Sequence, residues 1–418
     1  MRILFVLTLF VLAFAGCAKD ESLPPLRSSE GMTMNGSHFV GVAGVPDEFS
    51  EAKPVGSAFV GVRWSTPPVA RIGGGFAVGA SDGHVYLFNA QDSLERTIEF
   101  GERSAVDQII FDTSAVYSLF ADGKLIASPM LHQSDRANVI TWSDSLDTSV
   151  TGAAILAEDA LIIPCANGIV ALDKSSGKVR WRYSTLLQAV SVAFNSAGHY
   201  IVAAFTGDSF DGTDTLIRFG LDGKPLQSIP IHGRITSNIA LCGEDDNRIA
   251  VASASGSGNA KHIVVQVYDA TSAKKLQEHS LPYFANSIGA NRKSYITSGF
   301  RTTGGESVSG IDAFSIEDTT SLWSRRFTEP VEFPVAVSDG NIYFSLSFES
   351  QAIVGAKGLF YALDARNGKT LTEHAVMGAV SGFVPGMPMP DEAGRLMLAD
   401  RVRPVIYLFN RSAFRRVF

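Results

Sequence analysis

Three cysteines, eight histidines and 42 acidic residues are the material this 418-residue chain offers for chemistry. A thiol works as a nucleophile or metal ligand only as thiolate, and a redox pair needs two sulfurs close together. Cys165 and Cys242 stand in apolar, strand-like contexts ("LIIPCANG", "IALCGED"), with neither a C-x-x-C pair nor a metal spacing. They read as two buried thiols or one distant disulfide, and the sequence leaves both open. "GASDG" at 79–83 fits G-x-S-x-G by letter, but a nucleophile elbow needs a strand-to-helix turn and Ser81 falls in a hairpin. "GKT" at 368–370 would need glycine at 363 for a phosphate loop, and 363 is Leu. "DSFDGTD" (208–214) sets three aspartates near a glycine, hard oxygen ligands of the kind calcium takes, yet it misses the D-x-D-x-D-G spacing. A solvated loop is the expectation there. The histidines are scattered, without an H-x-x-x-H pair.

Two acids do stand in a repeated frame. Residues 167–181 read "NGIVALDKSSGKVRW" and 358–371 read "GLFYALDARNGKTL". In each, an apolar strand ends in an aspartate (Asp173, Asp364) that can accept hydrogen bonds from backbone N–H groups two residues on. Gly177 and Gly368 supply a positive φ that closes the hairpin. Trp181 follows in the next strand, and Trp323 occupies a similar context ("TSLW"), each covering a large apolar area beside a neighbouring sheet. These residues are structural, and Asp173 and Asp364 are better explained as turn formers than as bases.

The elements around the frame are strands. From about residue 57 onward, short β-branched or aromatic runs bounded by Gly, Asp, Asn and Ser follow one another ("GFAVGA", "HVYLFN", "HYIVAAF", "NIYFSLSF"), and helical periodicity is absent. The turn position recurs at Asn89, Ser128, Asp173, Gly220, Asp269, Ser315, Asp364 and Asn410, at intervals of 39 to 49 residues. Ser93 and Ala273 replace the turn glycine in the modules of Asn89 and Asp269. All four tryptophans (Trp64, Trp142, Trp181, Trp323) are expected at the end of an outer strand. A period of this size with four strands per unit predicts an all-β chain, an eight-bladed β-propeller spanning 57–418. A ring needs its last sheet completed. "AFVGVRW" (58–64) and "AFRRVF" (413–418) compete for that strand, and the phase of Trp64 favours the first, joining the two ends of the chain.

The beginning of the chain is of a different kind. "MRILFVLTLFVLAFAGC" carries one Arg and then an apolar run from Ile3 to Ala15 broken only by Thr8. A helix of that run rises about 20 Å, short of the ~30 Å of a bilayer core, so 1–16 reads as an export signal. The run ends in Phe14-Ala15-Gly16-Cys17, which resembles a bacterial lipobox. That resemblance implies cleavage before Cys17 and acylation of its thiol, an anchor to which each buried CH₂ contributes about 0.8 kcal/mol. Ala18 in place of Asp points by the same rule to the outer membrane. Residues 17–56, rich in Ser, Pro, Gly and charge, read as a flexible tether. The formal net charge of −7 gives no footprint for nucleic acid.

Lipobox, tether and modules of the form G-h-x-A-L-D-x-x-x-G-K-x-x-W together resemble the lipoproteins among the PQQ-like repeat propellers. The sharp motifs cover only 167–181 and 358–371. The resemblance implies a non-enzymatic, periplasm-facing lipoprotein of the outer membrane, without cofactor. It would be a monomeric scaffold held by its lipid and contacting the machinery that inserts β-barrel proteins. Quinone-dependent dehydrogenases share the repeat, but they use a vicinal cysteine pair and a calcium held by acidic and amide oxygens, and here the two cysteines lie far apart. An envelope propeller that binds glycan or another envelope component is the other alternative.

The hairpin between the two middle strands is tight in "ASDGH" and "CANGI" but long in four consecutive modules: 206–214, 253–261, 301–308 and 347–357. Such loops leave one face of a propeller, where they would form a crescent for a partner. Candidate contacts are Phe210, Asp211, Ser257, Asn259, Arg301, Glu306, Phe348, Gln351, Ile353 and Val354. "QAIVGA" (351–356) is the most apolar element and suited to adding to a partner's strand edge. Few aromatics stand on these loops, which favours protein over sugar.

Overall fold

The computed structural model describes residues 49–55 and 62–376 except 72–73, 102–103, 113, 131–139, 257–260, 304–305, 332–333, 338–339 and 347–357, together with 389–390, 396–399 and 406–411. Cys17, the export signal and most of the expected tether lie outside the described residues. The described strands form eight antiparallel sheets, numbered 1 to 8 along the chain over residues 69–99, 106–145, 155–184, 188–232, 234–280, 284–327, 336–376 and 389–411, and the helical content among the described residues is a single 3₁₀ turn, Glu244–Asp246. Except for the strand that completes the last sheet, neighbouring strands of a sheet follow one another along the chain, as in a β-propeller. Sheet 3 shows the pattern: Ile155–Ala157, Ala160–Cys165, Gly168–Asp173 and Val179–Ser184 run from the inner to the outer edge.

Burial explains the character of the runs. The second strands Ala115–Phe120, Ala160–Cys165 and Tyr200–Thr206 are buried at every residue, because a neighbouring sheet covers each face. Outer strands such as Val179–Ser184 have solvent on part of their surface and lose that continuity. Six apolar clusters join sheets 1 to 7 in chain order, each drawing residues from two successive sheets. Ile162 and Ala171 of sheet 3, for example, pack with Phe205 and Phe219 of sheet 4. The Met389–Pro390 strand of sheet 8 approaches Val69–Ala70 of sheet 1.

The wedge between two sheets is narrow near the axis and wide at the rim, and side-chain size follows it. On the inner side, a Cβ on Gly152 would lie 2.5 Å from the Val190 carbonyl oxygen of the next sheet. On the outer side, Trp142, Trp181 and Trp323 fill the gap. Each donates its indole N–H to the next sheet, to the carbonyls of Lys174, Leu221 and Ala365, all at 2.9 Å. The acceptor each time is the residue after the turn position. Each indole also lies against the positive-φ glycine of that turn, Gly177 (φ 71), Gly223 (φ 79) or Gly368 (φ 67), where a Cβ would fall within 2.6 Å of the ring. Glycine and tryptophan of the motif therefore meet across sheets, with the tryptophan one module earlier in the chain. Where Trp is missing other donors serve the same carbonyl: Arg218 reaches Ala270 at 2.7 Å and Gln277 reaches Ile316 at 2.9 Å.

Several expectations need correction. Trp64 is not on an outer strand. It precedes the inner strand Val69–Ala70, bridges to Ala80 and is buried against Tyr86. The other three tryptophans stand at the first or third residue of their outer strands, because the side chain must reach back to the turn end of the neighbouring sheet. In sheet 1 the turn is one residue shorter, and the positive φ falls on Asp92 (φ 64) instead of Ser93. The strand completing sheet 8 does come from the N-terminal side, but it is Phe49–Val55, within the segment read as tether, and not 58–64. It pairs antiparallel with Ile406–Arg411, Phe49 opposite Arg411 and Val55 opposite Ile406.

Candidate functional site

The turn aspartates are fully engaged in local structure. Asp173 Oδ1 accepts the backbone N–H groups of Ser175 (3.1 Å) and Ser176 (3.0 Å) and the Ser175 hydroxyl, while Oδ2 takes the Arg180 guanidinium at 2.7 Å. The Ser175 hydroxyl, then Arg180, hold its carboxyl well below the usual carboxylate range. Asp364 accepts from the backbone and guanidinium of Arg366, which likewise lowers it. A carboxylate held so firmly ionised is a poor proton acceptor. Ser81 receives the backbone N–H of Arg63 in a hairpin turn. Cys165 and Cys242 are free, buried and in different apolar clusters, and burial pushes their thiols up to about 11 and about 12. Among the described residues no three His, Cys, Asp or Glu side chains gather as a metal site.

The hub is a structural belt. Side chains of one inner strand bond the backbone of the next: Gln108 to Gly152 and Ala154, Thr151 to Ala189, Ser191 to Ile239, Asn238 to Ile288, Asn286 to Val331. Asp107 stands among these strands, its carboxyl raised by desolvation.

The long hairpins of sheets 4, 5 and 6 share one face. Strand register fixes this: Thr206, Ser255 and Thr303 all lie at the same end of their sheets, opposite the turn positions Gly220, Asp269 and Ser315. The chain also crosses between sheets at this face, bringing up Leu186, Arg234 and Phe284. At the base of the first hairpin Asp214, 1% exposed, accepts the Thr206 hydroxyl (2.6 Å) and the N–H groups of Gly207 (2.9 Å) and Ile235 (2.6 Å). The third aspartate of "DSFDGTD" is thus a buried brace, not part of a solvated loop. It ties sheet 4 to sheet 5 and sets Phe210 at the tip. Asp211 beside it is exposed.

Phe210 is half-buried and meets Phe284 of sheet 6 with centroids 6.4 Å apart. Lys261 Nζ lies 3.4 Å from the Phe210 centroid and 5.1 Å from that of Phe284. Arg234 stands 5.4 Å over Phe210 and Arg301 5.9 Å over Phe284. Neither Arg234 nor Lys261 forms an ion pair with a described residue. Phe300, opposite Phe284, is 36% exposed, and Leu186, on the same face at the crossing from sheet 3 to sheet 4, is fully exposed.

The segment 301–308, expected as a loop, is a ribbon. Ser294–Thr303 and Glu306–Ser315 are the longest strands described, and beyond Phe300 and Ser309 they pair only with each other among the described strands. Residues 301–303 and 306–308 therefore extend past the other strands of their sheet. Of the residues singled out from sequence, Phe210 and Arg301 converge on one cluster, and Glu306 lies in the ribbon. Ser257, Asn259, Phe348, Gln351, Ile353 and Val354 lie outside the described residues. Arg234, Lys261 and Phe284 were missed. Attention to middle hairpins alone overlooks the crossings "HGRI" and "PYFA", which reach the same face.

On the opposite face, Arg292, Lys293, Glu317, Leu322 and Arg366 line an open cleft of about 630 Å³ between sheets 6 and 7. Its charges are mixed, and Arg366 is already held by Asp364 at 2.8 Å.

No family model and no curated protein matches the chain. Among solved structures it is similar to BamB from Moraxella catarrhalis (15% identity, TM-score 0.61, covering 88% of this chain and 98% of that one). It is also similar to the computationally designed Ika8 protein (16%, 0.60, 83% and 98%). A europium-containing methanol dehydrogenase follows (11%, 0.57, 84% and 84%). At such identities the likeness shows the fold alone, a β-propeller.

Proposed function

We propose that this chain is a non-enzymatic scaffold of the outer membrane, lipid-anchored through Cys17 and periplasm-facing, which presents the hairpin face of its propeller to another envelope protein. The observation that carries the proposal is the built surface across sheets 4 to 6. Phe210, Lys261, Arg234, Phe284 and Arg301 form one cluster from three sheets, beside the exposed Phe300 and a two-stranded ribbon that extends past its sheet, with the exposed Leu186 on the same face. Exposed apolar and aromatic groups collected on loops over a rigid core are the usual material of a protein interface. A BamB among the structural neighbours supports a scaffold role. The lipobox-like start and the repeat motif support placing it in β-barrel assembly.

The side chains do not suit a quinone centre. The two cysteines belong to separate clusters with raised thiols, the turn aspartates are committed to backbone and guanidinium, and the polar groups of the hub bond to backbone. Arginine at these aspartates neutralises the charge that a calcium ion would need.

The test is site-specific photo-crosslinking in intact envelopes, with the probe at Leu186 or Phe300 on one face and at Arg292 on the other. Protein adducts from the first two positions, containing a barrel-insertion component, are expected. Adducts only from Arg292, or only with polysaccharide, would refute the proposal.

A further inference from the structure

We infer that the cation–aromatic cluster recognises an acidic, extended peptide segment of the partner, a deeper statement that rests on the scaffold reading above. Three cations from two adjacent sheets converge on two phenyl rings. A ring face attracts a cation and fixes its position without cancelling its charge, unlike a carboxylate partner. Lys261 lies between the two rings with no ion pair to a described residue, and Arg234 shares that condition. In a chain with net charge −7, this is a local surplus of positive charge set on a rigid base.

Carboxylates are the complement, since charge-assisted hydrogen bonds from Lys and Arg to carboxylate are short and strong. Arg234 belongs to the inner strand of sheet 5, Lys261 to the hairpin end of that sheet, and Arg301 to the ribbon of sheet 6. Satisfying Arg234 and Lys261 together takes more than one carboxylate, as along one face of an extended strand where every second side chain points the same way. Among the described strands, the ribbon beside them is paired on one side only beyond Phe300, which offers the backbone of an incoming segment a place in register with Thr302 and Thr303. A lipid headgroup would use the charges but not that edge. Asp208 and Asp211, both exposed on the Phe210 hairpin, bear the opposite sign and favour a segment that lies toward sheets 5 and 6.

The experiment is fluorescence anisotropy with the full chain in detergent, using a labelled peptide of alternating glutamate and valine and its glutamine counterpart. The glutamate peptide should bind, the glutamine one should bind at least roughly tenfold more weakly, and affinity should fall with salt. Lys261→Glu and Arg234→Glu should each weaken binding by roughly tenfold or more, while Lys261→Arg retains it. Unaltered circular dichroism of these surface variants confirms the fold. Equal binding of the two peptides, or indifference to Lys261→Glu, overturns the inference. So does stronger dependence on these cations for phosphatidylglycerol vesicles than for the peptide. If the peptide fails while Leu186 still crosslinks to protein in envelopes, only the charge recognition falls; loss of both removes the scaffold reading as well.

Discussion

Replacing Gly223 by alanine should cost about three times as much stability as replacing Gly101, although both occupy left-handed backbone (φ 79 and 71). The shared part is the strain of a Cβ at positive φ, about 1 kcal/mol. Around Gly101 nothing lies within 4 Å, so Gly101→Ala ends there. At Gly223 the new Cβ would lie 2.4 Å from Cδ2 and 2.7 Å from Cγ of Trp181, against an ordinary contact near 3.5–4.0 Å. The indole has little room to yield. Its N–H is bound to the Leu221 carbonyl at 2.9 Å and its ring stacks on Phe219, with centroids 6.3 Å apart. Overpacking of this kind adds roughly 2 kcal/mol, giving about 3 in all. Trp181→Ala alone should cost about 3–5 kcal/mol. The two changes should not add, because removal of the ring leaves the alanine only its backbone strain. The double variant is expected to be about 2 kcal/mol more stable than the sum of the single losses. Urea unfolding followed by far-UV circular dichroism measures the four variants against the wild-type chain. Equal costs for Gly223→Ala and Gly101→Ala, or additivity within about 0.5 kcal/mol, would show that tryptophan and glycine are not partners across sheets.

Three further outcomes follow from the same geometry. Asp173, Asp269 and Asp364 all have carboxyls lowered in the fold, by the Ser175 hydroxyl, the Ser272 backbone N–H and the Arg366 side chain respectively. A lowered folded value favours the native state above the unfolded carboxyl range and loses that contribution as pH falls, so the urea midpoint should be level from about pH 7 to 5 and decline below about 4, less steeply in Asp173→Asn. Cys165 and Cys242, with thiols raised to about 11 and about 12, should resist a disulfide reagent at pH 8 until denaturant is added; prompt reaction of the native protein would contradict their burial. Deleting residues 49–55 exposes one edge of Ile406–Arg411 and should increase both proteolysis near the C-terminal end and aggregation, whereas deleting an equal length before residue 49 should do neither.

The propeller was legible because its modules repeat a backbone problem. Each third strand must turn sharply and each outer strand must cover a neighbour, so Asp173, Gly177 and Trp181 recur in kind at Asp364, Gly368 and Trp323. The partner of each tryptophan was not legible, since strand order along the chain gives no hint that an indole serves the following module. Gln277 and Arg218 escaped notice because they fulfil a tryptophan's hydrogen bond with a different side chain. The same limit hid the cation cluster. Phe210 and Arg301 stand on hairpins that length alone draws attention to, but Arg234 and Phe284 begin inner strands, where nothing in the local pattern separates a rim residue from a hub residue. Trp64 misled for a related reason: a strand-like run ending in tryptophan looks the same on either edge of a sheet.

Sheet 8 draws its outermost strand from near residue 50 and its remaining strands from beyond residue 388. Joining segments so distant costs about 5 kcal/mol of chain entropy when everything between them is loose. Stacking of the intervening sheets carries the two ends toward each other and removes most of that cost beforehand. Order of assembly is therefore written into the connectivity: the circle is clasped only after its interior has formed, and a chain stopped short of Ile406 keeps its first strand without a mate.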